Sequence, residues 1–216
     1  MFIGHYALGL AAKRIAPRTS LGALIAAPTF ADLLWPLFLL LGWERVSITP
    51  SADPFYNLTF DSYPISHSLL ALVGWGVVFG GLYGLRTRYQ AGAVVLFLLV
   101  VSHWVLDYVV HRPDLPIVPG GARVGLGLWA SVPATLVLEV AMFVAGAFLY
   151  LAGTRARDAI GRYGVWALLV VLVLSYVSTL FAGPPSSARV IGVGGLVFGW
   201  LFVAWAAWAD RHREVI

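Results

Sequence analysis

The chain has 216 residues, of which 60% are hydrophobic and only 11% charged, with a mean hydropathy of +0.87. A soluble globular chain carries about 25% charged residues, so this one lacks the polar surface that water requires. It has no cysteine, which excludes disulfide frameworks and Cys-ligated zinc or iron–sulfur sites, and its net charge of +4 matters mainly through where the basic residues fall.

The apolar runs are long and lack the period-two alternation of barrel strands, which predicts an all-α, polytopic helical membrane bundle forming a single domain over 1–216. The first segment, Phe2 to Ala12, is closed by Lys13 and Arg14. Its positive charge follows the apolar stretch, so it reads as a short crossing or re-entrant helix and not as a signal peptide. Met1 to Pro17 would reach about 24 Å as a helix. His5 lies inside it, beside Gly4 and ahead of Gly9, which permit close helix approach. Six long spans follow, at 20–42, 66–87, 90–110, 131–152, 163–182 and 188–209.

An ionisable side chain at membrane depth costs about 2.5–3.5 kcal/mol at a helix centre, which makes each one a functional candidate. Asp32 sits within 20–42 between Pro28 and Pro36. A helix broken at Pro36 would leave it as a cap, a ligand or a proton acceptor. In Tyr63-Pro64-Ile65-Ser66-His67-Ser68, proline and serine predict a helix N-terminus with Ser66 as cap. The positive end of the helix dipole there favours a neutral, ligating His67. Span 90–110 ends in His103, Asp107 and, just beyond, His111, spaced i, i+4, i+8 and therefore on one helical stripe. Imidazole and carboxylate on such a stripe can share one ion or orient each other. His111-Arg112-Pro113-Asp114 opens the next connection, where Arg112 and Arg123 are interface anchors or phosphate contacts. Glu139 lies eight residues inside 131–152, as a buried partner, ligand or base. Glycines 192, 194 and 195 are packing positions, and His212 belongs to a solvated tail.

Ten of the 14 Lys and Arg residues fall around 13–18, 86–88, 155–162 and 211–213; the others are Arg45, Arg112, Arg123 and Arg189. The first group is expected to be cytoplasmic, with the C-terminus, which leaves connections 43–65 and 111–130 outside as turns and loops. At 1.5 Å per residue, Asp107 is then about 5 Å, His103 10 Å, Glu139 12 Å and Asp32 15 Å below the outer surface. Such agreement among separate spans predicts one polar cavity opening to the non-cytoplasmic side.

Gly4-His5, Ala31-Asp32-Leu33, Ile65-Ser66-His67-Ser68 and Ser102-His103 through Asp107, with a proline loop after, resemble a known pattern. It is that of the bacterial inner-membrane metal-dependent hydrolases, also described as LexA-binding inner-membrane-associated hydrolases. The resemblance covers roughly residues 1–120. Two features differ: a single Asp32 stands where the family often has Pro-Asp-x-Asp, and Asp61-Ser62-Tyr63 replaces a His-Arg. The resemblance implies His5, Asp32, His67, His103 and Asp107 as metal-site residues in the bacterial inner membrane.

The function expected is hydrolysis of a lipid or other membrane-associated ester or phosphoester. A divalent ion, zinc first with manganese or magnesium behind it, would sit on His67, His103 and Asp107, completed by Asp32 and His5. Glu139 or Asp114 would take the water proton. The expected partners are membrane lipids and not nucleic acid, for no phosphate loop or nucleotide fingerprint occurs. A non-enzymatic ion or solute transporter with the same His/Asp site is the alternative, and bis-His haem on His67 and His103 a third.

Overall fold

A computed structural model describes residues Met1–Ile216 and is mostly helical. Its first helix, α1 (Ile3–Ala12), has ten residues. That is about 15 Å of helix, half the ~30 Å of a bilayer's hydrocarbon core. Apart from Leu8 and Ala11 every residue of α1 is buried, so it is a strut enclosed by the other helices.

The span expected over 20–42 is two helices, α2 (Leu21–Ala26) and α3 (Phe30–Leu40), separated by a turn at Ala27–Thr29. The break falls at Pro28 and not at Pro36, which lies inside α3. Pro28 has no N–H to give and crowds the carbonyl four residues back. Pro36 carries the same penalty, yet a later helix packs its glycines directly on that ring and holds α3 together. Asp32 therefore caps nothing at Pro36; it occupies the first turn of α3, where a carboxylate suits the helix dipole.

A single turn, α4 (Pro64–His67), leads into α5 (Leu69–Thr87), whose cap is Ser68, with its Oγ accepting from Ala71 N at 3.2 Å. The expected cap, Ser66, is two residues early. α6 (Gln90–Val110), α7 (Val132–Ala152), α8 (Val165–Thr179) and α9 (Ala188–Arg211) complete the set. A π-helical turn, Ile160–Gly164, extends α8 at its start. Five helices are long and apolar enough to cross a membrane: α5, α6, α7, α8 with its π turn, and α9.

Small residues set the close packing, as expected where lipid removes the hydrophobic drive between helices. Gly76, Gly80 and Gly84 form a buried stripe along α5, and a Cβ on Gly80 would lie 2.6 Å from the Ala93 carbonyl of α6. A Cβ on Gly146 of α7 would overlap the Ala7 carbonyl of α1. On α9, Gly192 and Gly195 meet Leu40 and Pro36 of α3, and Gly199 meets Leu33. Gly194 faces open space, so the expected packing set holds for 192 and 195, with 199 in place of 194.

The connections expected as plain loops contain short antiparallel pairs. β1 (Arg45–Ile48) pairs with β2 (Leu58–Ser62), and β3 (Leu115–Pro116) with β4 (Arg123–Val124). At the opposite end β5 (Thr154–Ala156) pairs with β6 (Arg213–Val215). His212 thus caps α9 beside this strand pair, with its Nδ1 2.6 Å from Asp158, and is not a free tail.

Candidate metal centre

Four helices and the Met1 amino group converge on one largely buried spot. α6 supplies His103 and Asp107, each nearly inaccessible to solvent. Their i, i+4 spacing places His103 Nε2 3.1 Å from Asp107 Oδ2. α1 brings His5, whose Nε2 is 3.1 Å from Asp107 Oδ1 and whose ring stacks on His103 at 4.0 Å between centroids. The first turn of α3 brings Asp32, and the end of α4 brings His67, with His67 Nε2 3.5 Å from Asp32 Oδ1. The amino group of Met1 also donates to Asp107 Oδ1, at 2.6 Å.

The partners of the two central imidazoles fix where their protons are. His103 Nδ1 is 2.8 Å from the Pro28 carbonyl in the α2–α3 break. A carbonyl only accepts, so Nδ1 carries the hydrogen and Nε2 of the neutral ring is a bare lone pair. That Nε2 faces Asp107 too obliquely for a hydrogen bond and has no partner. His67 is set by a relay that starts from Glu44. Glu44 is 1% exposed and accepts from the backbone N–H groups of Ile65 and Ser66 at 2.7 and 2.9 Å. Ser66 Oγ donates to Glu44 Oε2 at 2.6 Å and therefore accepts from His67 Nδ1 at 2.7 Å. His67 Nε2 is then also a lone pair, and it faces Asp32. This is how a ligating His is usually held, with its other nitrogen donating to a carbonyl or an anchored acceptor.

Two imidazole lone pairs thus stand close to two carboxylates, Asp107 buried and Asp32 with its side chain 44% accessible, and the Met1 ammonium on Asp107 is the one fixed positive charge among them. Two sets have ligand atoms all within 4.8 Å of one another: His5, His103 and Asp107; and Asp32, His67 and His103. Both sets use His103, which has one lone pair to give, so it serves one ion at a time. Ligand atoms around a tetrahedral zinc, with bonds of about 2.0–2.1 Å, stand roughly 3.4 Å apart. The spacings of 3.1 and 3.5 Å between the facing atoms fit this. The cluster could hold a metal ion.

The remaining expected residues are distributed differently. His111 is not a member of either set. α6 ends at Val110, His111 takes an extended backbone, and its Nδ1 turns to Asp114 at 2.9 Å while Nε2 stays 3.7 Å from Asp107. Asp114 also accepts from Arg112 Nε at 3.1 Å, and it lies outside the cluster. Burial pushes its carboxyl up, but the bonds and charges of His111 and Arg112 outweigh this and hold it below the usual carboxylate range. A carboxyl so committed is a poor base. Arg112 and Arg123 also donate to β2 carbonyls at Leu58, Phe60 and Asp61, so they lace the β1–β2 and β3–β4 hairpins together. Glu139 is buried on α7, against the start of α1. Its Oε2 accepts from Phe2 N and Gly4 N at 2.8 and 3.1 Å, anchoring the start of α1, while Oε1 is buried without a partner.

No family model matches this chain. No solved structure matches it either. Two uncharacterized proteins of Neisseria meningitidis, one from serogroup A and one from serogroup B, are each 26% identical to it over 184 residues. The match covers 80% of this chain and 74% of each of theirs, so it runs past residue 120 into the later helices.

Glu44, the Met1 amino group and the Pro28 carbonyl are the site groups that the sequence does not announce. Glu44 follows Trp43 and precedes Arg45, which reads as an interface position. Only the fold shows it buried beneath α4.

Proposed function

We propose that the chain is a membrane-embedded, metal-dependent hydrolase acting on a lipid or other membrane-associated ester or phosphoester. The observation that carries this is that the Nε2 atoms of His67 and His103, each left as a lone pair by the partner on Nδ1, stand 3.5 and 3.1 Å from Asp32 and Asp107 in one cluster. His103 holds the ion together with one of the two pairs that share it, Asp32 and His67 or His5 and Asp107, and the other pair orients the first. Zinc suits such ligands best, with manganese and magnesium behind it. A divalent ion held there supplies Lewis acidity and brings the pKa of water towards about 7.

The chain's own residues do the rest. Glu139 lines the same cavity as His67 and Asp107, and its free Oε1 is placed to accept a proton from a water or hydroxyl there. Met1 and Phe2 wall the cavity beside Asp32, and Trp35 and Phe55 exclude bulk water. The basic-residue bias supports a bacterial inner-membrane orientation with the C-terminus cytoplasmic and the site opening outward.

The break between α2 and α3 is the feature that favours a transporter instead, since broken helices with a carboxylate at membrane depth also bind transported ions. Vesicles of phosphatidylglycerol and phosphatidic acid containing the protein separate the two. Zinc-dependent release of fatty acid or inorganic phosphate, absent in His103→Ala, is the expected result. Proton or cation flux across the same vesicles with no lipid turnover would replace the hydrolase by the transporter.

Glu44 acts on this site through Ser66. In Glu44→Gln the new amide N–H₂ donates to Ser66 Oγ, which then donates to His67 Nδ1 and moves the ring hydrogen onto Nε2. The ligating lone pair is lost while the volume is kept. Partners of this kind typically contribute 10- to 100-fold in metal affinity, and a loss of about that size is expected in competition with a chromophoric chelator. Wild-type affinity in Glu44→Gln would show that His67 is not positioned by the relay.

A further inference from the structure

A cavity of about 710 Å³ lies between α1, α3, α8 and α9. Its size falls within the roughly 300–1,000 Å³ of small-molecule sites. Asp32 lines it and also lines a second cavity of about 300 Å³ that reaches His67, Asp107 and Glu139. The larger space therefore runs from the His/Asp cluster outward between two helices.

Those two helices are fastened only at one end. Trp205 Nε1 of α9 donates to the Gly164 carbonyl at the start of α8, at 3.0 Å. Near it Leu168 and Leu172 share one core with Phe202 and Ala206. Towards the far end they part. Ser175 and Thr179 form one wall of the cavity, Ile191 and Phe198 the other. Ser178 and Thr179 return their hydroxyls to their own helix, at Ser175 and Tyr176 carbonyls, so they leave the wall apolar. Outside the cleft, Leu174 and Val197 are exposed, as residues facing hydrocarbon are. At the inner end, Tyr176 OH and Glu139 are buried beside each other, neither Tyr176 OH nor Glu139 Oε1 has a well-formed hydrogen bond, and both residues line the smaller cavity. A buried hydroxyl and carboxylate so loosely satisfied can take the polar atoms of a ligand.

We propose that the cleft between α8 and α9 admits a membrane lipid sideways from the bilayer, its acyl chain lying against Leu33, Ile191 and Phe202 while its polar head reaches Tyr176, Glu139 and Asp32. The continuity of an apolar slot, open to the hydrocarbon, with a polar, cation-competent end selects an amphiphile over a water-soluble solute. The proposal rests on the hydrolase reading for what happens to the head group; occupancy of the cleft needs no metal.

The test uses phosphatidylglycerol vesicles in which a fraction of the lipid carries a diazirine in one acyl chain. After irradiation, the attachment sites are mapped by mass spectrometry, and metal content is measured on the same protein. Labelling is expected on Tyr6, Leu33 or Phe202, which are nearly inaccessible and out of reach of lipid on the outer surface. Ser175→Trp and Ser178→Trp, which plug the cleft from one wall, are expected to lose most of that inner labelling. They should keep the labels on Val197 and Leu174 and keep the metal. Inner labelling should persist in metal-free His103→Ala. Labels confined to the outer surface in the wild type, or inner labels indifferent to both tryptophans, would overturn the lipid cleft and leave the metal centre standing. Inner labels on a wild-type protein that binds no metal would do the reverse.

Discussion

Replacing either His103 or Asp107 by alanine is expected to strip the detergent-purified protein of divalent metal. Each is the member of its set that nothing else can replace. His103 Nε2 is common to both candidate ligand sets. Asp107 receives His5 and Met1 on one oxygen and faces His103 on the other. Mass-spectrometric metal analysis should give close to one ion per wild-type chain and near none in either variant. Asp114→Ala should leave the content unchanged, because Asp114 is paired to His111 and Arg112 outside the cluster. If wild type and both variants hold the same stoichiometric metal, the ion sits elsewhere. If none of them binds metal, the facing nitrogens and carboxylates are bridged by protons, and the site is an ion-paired network.

The heart of this site is legible in the sequence because it lies on one helix. His103 and Asp107 need only 3.6-residue periodicity to meet, and an apolar span marks both as costly. Asp32 and Glu139 are likewise costly in apolar spans, at expected depths of about 15 and 12 Å. Direction is harder. The same stripe includes His111, yet the helix stops one residue earlier and turns that ring to Asp114. Pro28 and Pro36 look alike as helix breakers, and the choice between them rests with α9, whose Gly192 and Gly195 pack on Pro36. Glu44 is invisible in principle, since its three donors come from α4, more than 20 residues away. The split of 20–42 into two helices and the enclosure of α1 belong to the same class, being set by partners and not by local propensity.

Lys13→Ala is expected to destabilise the fold by about 3–5 kcal/mol, the usual result of removing one member of a buried ion pair. Lys13 and Asp210 are each 8% exposed, with Nζ 2.7 Å from Oδ2. Asp210 also accepts from Leu21 N at 2.9 Å and Tyr150 OH at 2.8 Å, and Lys13 donates to the Thr19 carbonyl at 2.9 Å. The cluster therefore joins the end of α1 to the start of α2, the end of α7 and the end of α9. It lies at the opposite end of α1 from His5. Together with the Glu139 anchor at the start of α1, this cluster fixes the register of the helix from both ends, and a slip of one residue would rotate His5 by about 100° away from Asp107. Denaturant unfolding in detergent should show the loss. Arg14→Ala is the matched control, since Arg14 is exposed and makes one contact, to the Ala152 carbonyl at 3.3 Å. Metal affinity should fall in Lys13→Ala although the substitution is remote from every ligand, because the folded α1 register and the bound ion stabilise each other. Equal stability of the Lys13 and Arg14 variants would mean that α1 is held by its glycine contacts and its N-terminal anchors on Glu139 and Asp107 without the Lys13 cluster. In that case Gly146→Val, which drives a side chain into the Ala7 carbonyl, becomes the substitution that should release both the helix and the ion.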